Sequence, residues 1–421
     1  MFNFHSFFVL RGSNIIIRAI SMLSRFLLII VMAKLLPQSE LGIYGLLVAG
    51  ISFSVLFVGF DYYTYSNREL LSVSKDEWSR VVVNQMYAYI PLYLLFFLIA
   101  FGLYFYDVFP NSYFIWFFIL LIVEHISIEQ NRLLNTMQRQ LSATIVLFLR
   151  SGFWVLFMLP FMIYVDELKS LNTVLYAWLV GGIISIVFGT LKIKQVINNW
   201  KLIKPSYDWI IKGYKIGLLF ILGTISFRII STGDRFLLEQ WSDVSIVGIY
   251  VFYTSLTLGA SAFIHAGVVV FSTPNIISAY QRNDFELFDT LMYKFFKELS
   301  FSIIIMMLLL VFLMPYVVNW VGKASYVEEY NVFYIILGTT AVTVMNSHPG
   351  TYLYASRRDK YILFSNLSTL LVFSILSSFF YFSTLELTAI YQVSLSVLIT
   401  FLWLLLSKYI GYFYYKRKEN R

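Results

Sequence analysis

Arg11, Arg18 and Arg25 follow one another at intervals of seven residues. Seven residues is close to two turns of an α-helix, so the three side chains project from one face. The apolar stretch holding Arg18 and Arg25 is long enough to cross a bilayer, which places both inside it. Arg228 and Arg235 keep the same spacing in a second apolar stretch, and Arg150 lies within a third. An arginine at the bilayer centre costs about 2.5–3.5 kcal/mol on insertion scales, so such residues are expected to face water or an anion. Guanidinium forks bind phosphate and carboxylate bidentately. The chemistry on offer is anion binding within a membrane, in a cavity lined by Arg18, Arg25, Arg150, Arg228 and Arg235. The competing reading is internal neutralisation, with Asp234 beside Arg235 and Asp61 near the inner end of the second span, or snorkelling to the interface. Arg11 belongs to the interface.

A second constellation is Glu124, His125 and Glu129, with Arg132 one turn further on. His125 and Glu129 are four residues apart and Glu129 and Arg132 three, so each pair can touch on one helix. A carboxylate and a histidine inside a membrane helix can carry protons. The same residues can equally form a structural hydrogen-bonded pair. With Asp61 and Asp234, they are the candidate ion-coupling residues. The other histidines, His5, His265 and His348, form no ligand motif, and His265 and His348 read as interhelical hydrogen-bond donors. There is no cysteine, which removes disulfides, thiolate catalysis and cysteine metal sites. No catalytic residue, metal ligand set or cofactor motif emerges.

The elements that must position these residues are membrane helices. The 421-residue chain is 59% hydrophobic and 13% charged, where soluble domains carry about 25% charged residues. Apolar runs of roughly 20 residues between polar breaks predict twelve spans. They are 12–34, 41–63, 82–105, 112–131, 141–164, 173–191, 214–238, 246–271, 293–319, 331–353, 361–381 and 387–407. Lysines and arginines orient them. With the N-terminus in the cytoplasm, 23 of the 31 basic residues fall in the termini, in the loops after even-numbered spans and at the adjoining span ends. Only Lys34, Lys169 and Lys323 fall in the opposite loops, and the remaining five are the intramembrane arginines. This bias places both termini on the cytoplasmic side. The outer loops are short and acidic, and 192–213 and 272–292 are expected to lie along the inner membrane surface. The N-terminus shows no cleavable signal, so the first helix is expected to remain as an anchor.

The chain also repeats itself. Arg18–Leu28 (RAISMLSRFLL) and Arg228–Leu238 (RIISTGDRFLL) agree at seven of eleven positions. LGIY at 41–44 is echoed by VGIY at 247–250, and LNTMQR at 134–139 more faintly by LYASRR at 353–358. The repeat maps span 1 onto span 7. Six spans separate the copies, so both halves share one orientation and would be related by an axis along the membrane normal. The expected architecture is all-α: two six-helix bundles, residues 1–200 and 201–421, around a midplane cleft suited to alternating access.

At this point the residues resemble a known family. RGS…R…SRFLL…AKLLPQSELGIYGLLVAG…VGFDYYTYSNREL in residues 11–70, and DRFLLEQWSDVSIVGIY from Asp234 to Tyr250, look like the signatures of bacterial polysaccharide-repeat flippases. These are the O-antigen type transporters of the multidrug/oligosaccharidyl-lipid/polysaccharide exporter superfamily. The resemblance implies movement of a polyprenyl-pyrophosphate-linked oligosaccharide from the inner to the outer leaflet of the bacterial cytoplasmic membrane. It implies a cationic cavity between two six-helix bundles and, in several members, drive by an ion gradient. The implied partners are the lipid-linked oligosaccharide, membrane lipids, and a polysaccharide polymerase with its chain-length regulator, but no nucleic acid.

Other readings compete. A drug or metabolite exporter of the same superfamily shares the fold, but an arginine-rich cavity repels organic cations. A peptidoglycan-precursor flippase typically carries two extra helices. A membrane enzyme such as an oligosaccharide polymerase usually carries a large outer loop, and the outer loops here are about ten residues or shorter. A non-transporting scaffold has little reason to keep paired intramembrane arginines.

Overall fold

The computed structural model describes residues 4–105, 111–197, 204–383 and 386–419. Asp107 and Lys201 lie outside the described residues, and of Arg11 only the backbone is described. Every regular element among the described residues is helical, as expected where no water can satisfy a lone strand edge. The helices are α1 (Phe4–Leu35), α2 (Gln38–Gly59), α3 (Tyr63–Ser72), α4 (Trp78–Phe105), α5 (Phe114–Thr136), α6 (Gln140–Tyr164), α7 (Leu171–Val196), α8 (Tyr207–Trp241), α9 (Val244–Gln281), α10 (Phe285–Val321), α11 (Tyr330–Met345), α12 (Ser347–Ala355), α13 (Asp359–Phe382) and α14 (Ala389–Glu419). Two of them contain a single π-helical turn, Leu149–Phe153 in α6 and His265–Val269 in α9.

Among the described residues, ten helices are long and apolar enough to span a membrane, and α8, taken as one broken span, makes eleven. Twelve uninterrupted spans are therefore not observed. The expected tenth span is divided into α11 and α12. Pro349 explains the division: its ring collides with the carbonyl four residues earlier, that of Met345, where α11 ends. The expected seventh span is broken between Leu218 and Gly223. The segment 272–292 is largely helical. It continues α9 to Gln281 and begins α10 at Phe285, where Asp284 accepts from Leu287 N at 3.1 Å as a cap. At about 1.5 Å per residue, helices of 38 and 37 residues outreach a hydrocarbon core of about 30 Å.

The chain divides into two compact units. One comprises residues 1–28 and 47–222, the other 29–46 and 223–421. The tips of α1 and α2 thus belong to the second unit while their inner parts belong to the first. The tips are fastened there by specific contacts. Lys34 Nζ donates to the Trp320 carbonyl at 2.9 Å and stands 3.8 Å from the indole centroid. Gln38 bonds Ser325, and Lys323 bonds the Leu36 carbonyl, with burial holding that ammonium below the usual lysine range.

The sequence repeat is matched in backbone geometry. Leu134–Arg139 and Leu353–Arg358 form the same turn: Gln138 and Arg357 are both left-handed (φ 61° and 55°). Arg139 N bonds Leu134 O and Arg358 N bonds Leu353 O, each at 2.8 Å, which is a helix-ending turn in both copies. The two GIY segments pack reciprocally in the second unit. A Cβ on Gly42 would stand 2.0 Å from Val244 O, and one on Gly248 would stand 2.0 Å from Gln38 O. Gln38 precedes Gly42 by four residues, as Val244 precedes Gly248. Each copy thus presents to the other what it receives, as a local two-fold relation requires. Close backbone approach through glycine is a common device of membrane helix pairs.

Gly42→Ala and Gly248→Ala should each destabilise the protein by about 1–3 kcal/mol through overpacking. Lower melting temperatures in detergent would register this, while Gly267→Ala, whose Cβ meets nothing within 4 Å, should leave the melting temperature unchanged.

Candidate functional site

The first unit contains a buried polar cluster built on α5. Helix α7 approaches α5 closely because its contact face is small: a Cβ on Gly182 would stand 2.1 Å from Val123, and one on Gly189 would stand 2.2 Å from the Gln130 amide. This approach lets Trp178 Nε1 donate to Glu124 Oε1 at 2.6 Å and Gln130 Nε2 donate to Thr190 Oγ1 at 2.8 Å. Glu124 Oε2 accepts from Arg150, which sits in the π turn of α6, and both side chains are almost fully buried. A π turn inserts one extra residue per turn and re-aims the side chains around it, and such turns are frequent at functional sites.

On the neighbouring face of α5, His125 and Glu129 point toward α4. Tyr89 donates to Glu129 Oε2 at 2.7 Å and Gln85 donates to it at 2.9 Å. Arg132 holds the other oxygen, and its guanidinium lies 3.8 Å from the centroid of the Tyr63 ring. Tyr93 Oη lies 2.7 Å from His125 Nδ1, and the Tyr89 ring stands edge-on to the imidazole with centroids 4.7 Å apart. A cavity of about 230 Å³ adjoins these groups, lined by Gln85, Tyr89, Tyr93, His125 and Glu129 on its polar side. Its apolar wall includes Met86 and Ile90, which are exposed. Tyr63, the first residue of α3, is pushed above the usual tyrosine range, chiefly by burial.

The second unit holds a smaller relative of this arrangement. Asp234 is buried and accepts from Arg235 at 2.9 Å and from the Tyr250 hydroxyl at 2.7 Å. Arg235 also donates to the Ser231 carbonyl at 3.0 Å. Arg228 is half-buried two turns earlier on α8, and its carbonyl accepts from Thr232 at 2.7 Å.

No protein-family model and no curated protein matches the sequence. Solved structures do match over nearly the whole chain. A multidrug resistance MATE family transporter of the MOP superfamily, in its inward-facing conformation, superposes with a TM-score of 0.72 at 14% identity, covering 96% of this chain and 99% of that one. The lipid II flippase MurJ, in an inward closed conformation, gives 0.67 at 15% identity over 94% and 87%. A MOP superfamily transporter from Pyrococcus furiosus, described by the reversed polarity of its binding pocket, gives 0.57 at 13% over 96% and 94%. The chain has the MATE and MurJ fold. The named proteins that share it are transporters and a flippase, not enzymes.

Within that MATE and MurJ fold, the expected residues are distributed unevenly. Glu124, His125 and Glu129 are brought together, and Arg150 joins them through Glu124. Arg235 is paired with Asp234, the internal neutralisation left open from the sequence. Arg18 and Arg25 are exposed on α1. Asp61 is buried in the turn after α2, left-handed at φ 47°, and bonds Thr64 through its carbonyl. His348 is buried, with Nδ1 3.2 Å from the Tyr409 hydroxyl, while His265 is exposed on a π turn. Gln85, Tyr89 and Tyr93 were not expected. Their spacing of four residues marks one polar face along an apolar helix, and that signal was present in the sequence.

Breaking a buried ion pair from one side leaves an uncompensated charge, at a cost of about 3–5 kcal/mol, whereas replacing both partners by apolar groups is far cheaper. Arg150→Met should therefore lower thermal stability sharply, and adding Glu124→Leu should restore most of it. Thermal unfolding of the single and double variants in detergent measures the difference.

Proposed function

We propose that this chain is a flippase that moves polyprenyl-pyrophosphate-linked oligosaccharide repeat units, of O-antigen or a similar surface polysaccharide, to the outer leaflet of the bacterial cytoplasmic membrane by alternating access. The observation that carries the proposal is the pair of exposed arginines, Arg18 and Arg25, two helical turns apart on an apolar helix. Side chains of this kind are costly to keep in a membrane and suit a diphosphate or an acidic sugar. Arg228 is the third proposed substrate contact. Arg150 and Arg235 act through their carboxylate partners in this reading, setting Glu124 and Asp234.

The lipid II flippase shares the fold and moves a lipid-linked substrate, which supports the class of cargo. The drug-exporter reading has equal support from the fold. The positive charge of α1 favours an anion over the organic cations such exporters carry. The buried cluster of Glu124, His125 and Glu129 is proposed to couple transport to an ion gradient, with Asp61 and Asp234 as further acids. A polysaccharide polymerase and chain-length regulator would act on the delivered units.

Arg18→Ala and Arg25→Ala should each reduce surface polysaccharide about 10–100-fold, the worth of one charge-assisted contact, with the protein still in the membrane. Lipid-linked repeat units should accumulate on the cytoplasmic leaflet. Undiminished polysaccharide in both variants would remove the arginine mechanism, and loss of the lipid-linked units themselves would point to an enzyme of their synthesis.

A further inference from the structure

We infer that the polar cluster of the first unit binds a proton, carried by His125 and set against the inner end of α2, and that it is not a site for a metal cation such as sodium. This deepens the coupling role proposed above and rests on it. All four carboxylate oxygens are already engaged. Glu124 accepts from Trp178 and Arg150, and Glu129 accepts from Arg132, Tyr89 and Gln85. A hard cation needs those oxygens and would have to lodge beside two guanidiniums. Among the described residues, no three His, Asp or Glu side chains converge as a metal site.

His125 is different. It is 1% exposed, and its Nε2 has no hydrogen-bond partner, although its Nδ1 has Tyr93. A tyrosine hydroxyl can donate to a bare ring nitrogen or accept from a protonated one. The imidazole can therefore gain a proton with the Tyr93 bond preserved. A hydronium in the cavity gives up its proton, an N–H bond forms at the ring nitrogen that lacked one, and neutral water remains. The cavity has room for several waters at about 30 Å³ each.

Position gives that proton a consequence. Nε2 would lie 3.3 Å from a Cβ on Gly59, the last residue of α2, so it faces the carboxyl end of that helix. A helix carboxyl end carries partial negative charge and attracts a cation. The other charged and titratable groups around the ring are Tyr89 and Tyr93 of α4, Glu124, Glu129 and Arg132 of α5, Arg150 of α6, and Asp61 and Tyr63 just beyond Gly59. Glu124 and Glu129 are each matched by a guanidinium, so protonation adds one positive charge beside the end of α2. Phe60 and Asp61 follow in left-handed conformations (φ 51° and 47°), and α2 contributes residues to both compact units. A charge at its inner end therefore acts on an element the two units share.

The chain has four histidines, so the full protein labelled with ¹⁵N-histidine in nanodiscs gives a tractable spectrum. The signal lost in His125→Gln should titrate with pH and should not move when sodium chloride replaces choline chloride at fixed pH. Gly59→Ala, which crowds Nε2, should shift its midpoint by about one pH unit, a tenfold change in proton affinity. Tyr93→Phe should shift it independently, should the alanine variant fail to fold. A His125 signal that never titrates, that responds to sodium, or that keeps its midpoint in every folded variant overturns the inference. The measurement needs no transport. A titrating His125 in a protein that moves no lipid-linked sugar would remove the flippase reading alone, and sugar movement with a silent His125 would remove only this one.

Discussion

In hydrocarbon there is no water to complete a hydrogen bond or solvate a charge, and this constraint governs the structure at every level. The backbone answers it with helices. The intramembrane charges Glu124, Glu129, Arg150, Asp234 and Arg235 answer it with partners: Glu124 with Arg150 and Trp178, Glu129 with Arg132, Tyr89 and Gln85, and Asp234 with Arg235 and Tyr250. Each partner comes from a position that the chain must bring within about 3 Å. The packing of the helices is accordingly dictated by how closely they can approach.

Small residues supply that approach. Gly182 and Gly189 let α7 lie against α5, which is why Trp178 reaches Glu124 and Thr190 reaches Gln130. Gly42 and Gly248 let the two GIY helices cross almost backbone to backbone. The first pair serves a polar site and the second serves the internal repeat, but the physics is the same: without a hydrophobic driving force between helices, contact area and hydrogen bonds must hold them together.

The repeat is symmetric in backbone and asymmetric in charge. The turns at Gln138 and Arg357 are alike, and so are the crossings at Gly42 and Gly248. Yet Ser24 occupies the place that Asp234 has in the second copy. Ser24 bonds the Ile20 carbonyl at 2.7 Å, and the arginine after it, Arg25, is exposed. Asp234 instead draws Arg235 into a buried pair. One difference within a duplicated motif thus accompanies an exposed arginine in the first copy and a buried ion pair in the second.

The sequence by itself determined the helical class, the approximate places of most spans, the duplication, and the proximity of His125, Glu129 and Arg132, because these follow from composition and from spacing along one helix. It did not determine where spans break: Pro349 divides one of them through a clash four residues back, which an apolar count does not register. Nor could it say which arginines are neutralised. Asp234 was visible beside Arg235, but Glu124 meets Arg150 across two helices, and Trp178, Tyr89, Tyr93 and Tyr250 reach the acids and His125 from other helices. Only the tertiary structure decided that Arg150 serves Glu124, that Tyr250 completes Asp234, and that the second nitrogen of His125 is turned to the end of α2. Partnership in a low-dielectric interior is a matter of distance in space, and residue spacing fixes such distances only within a single helix.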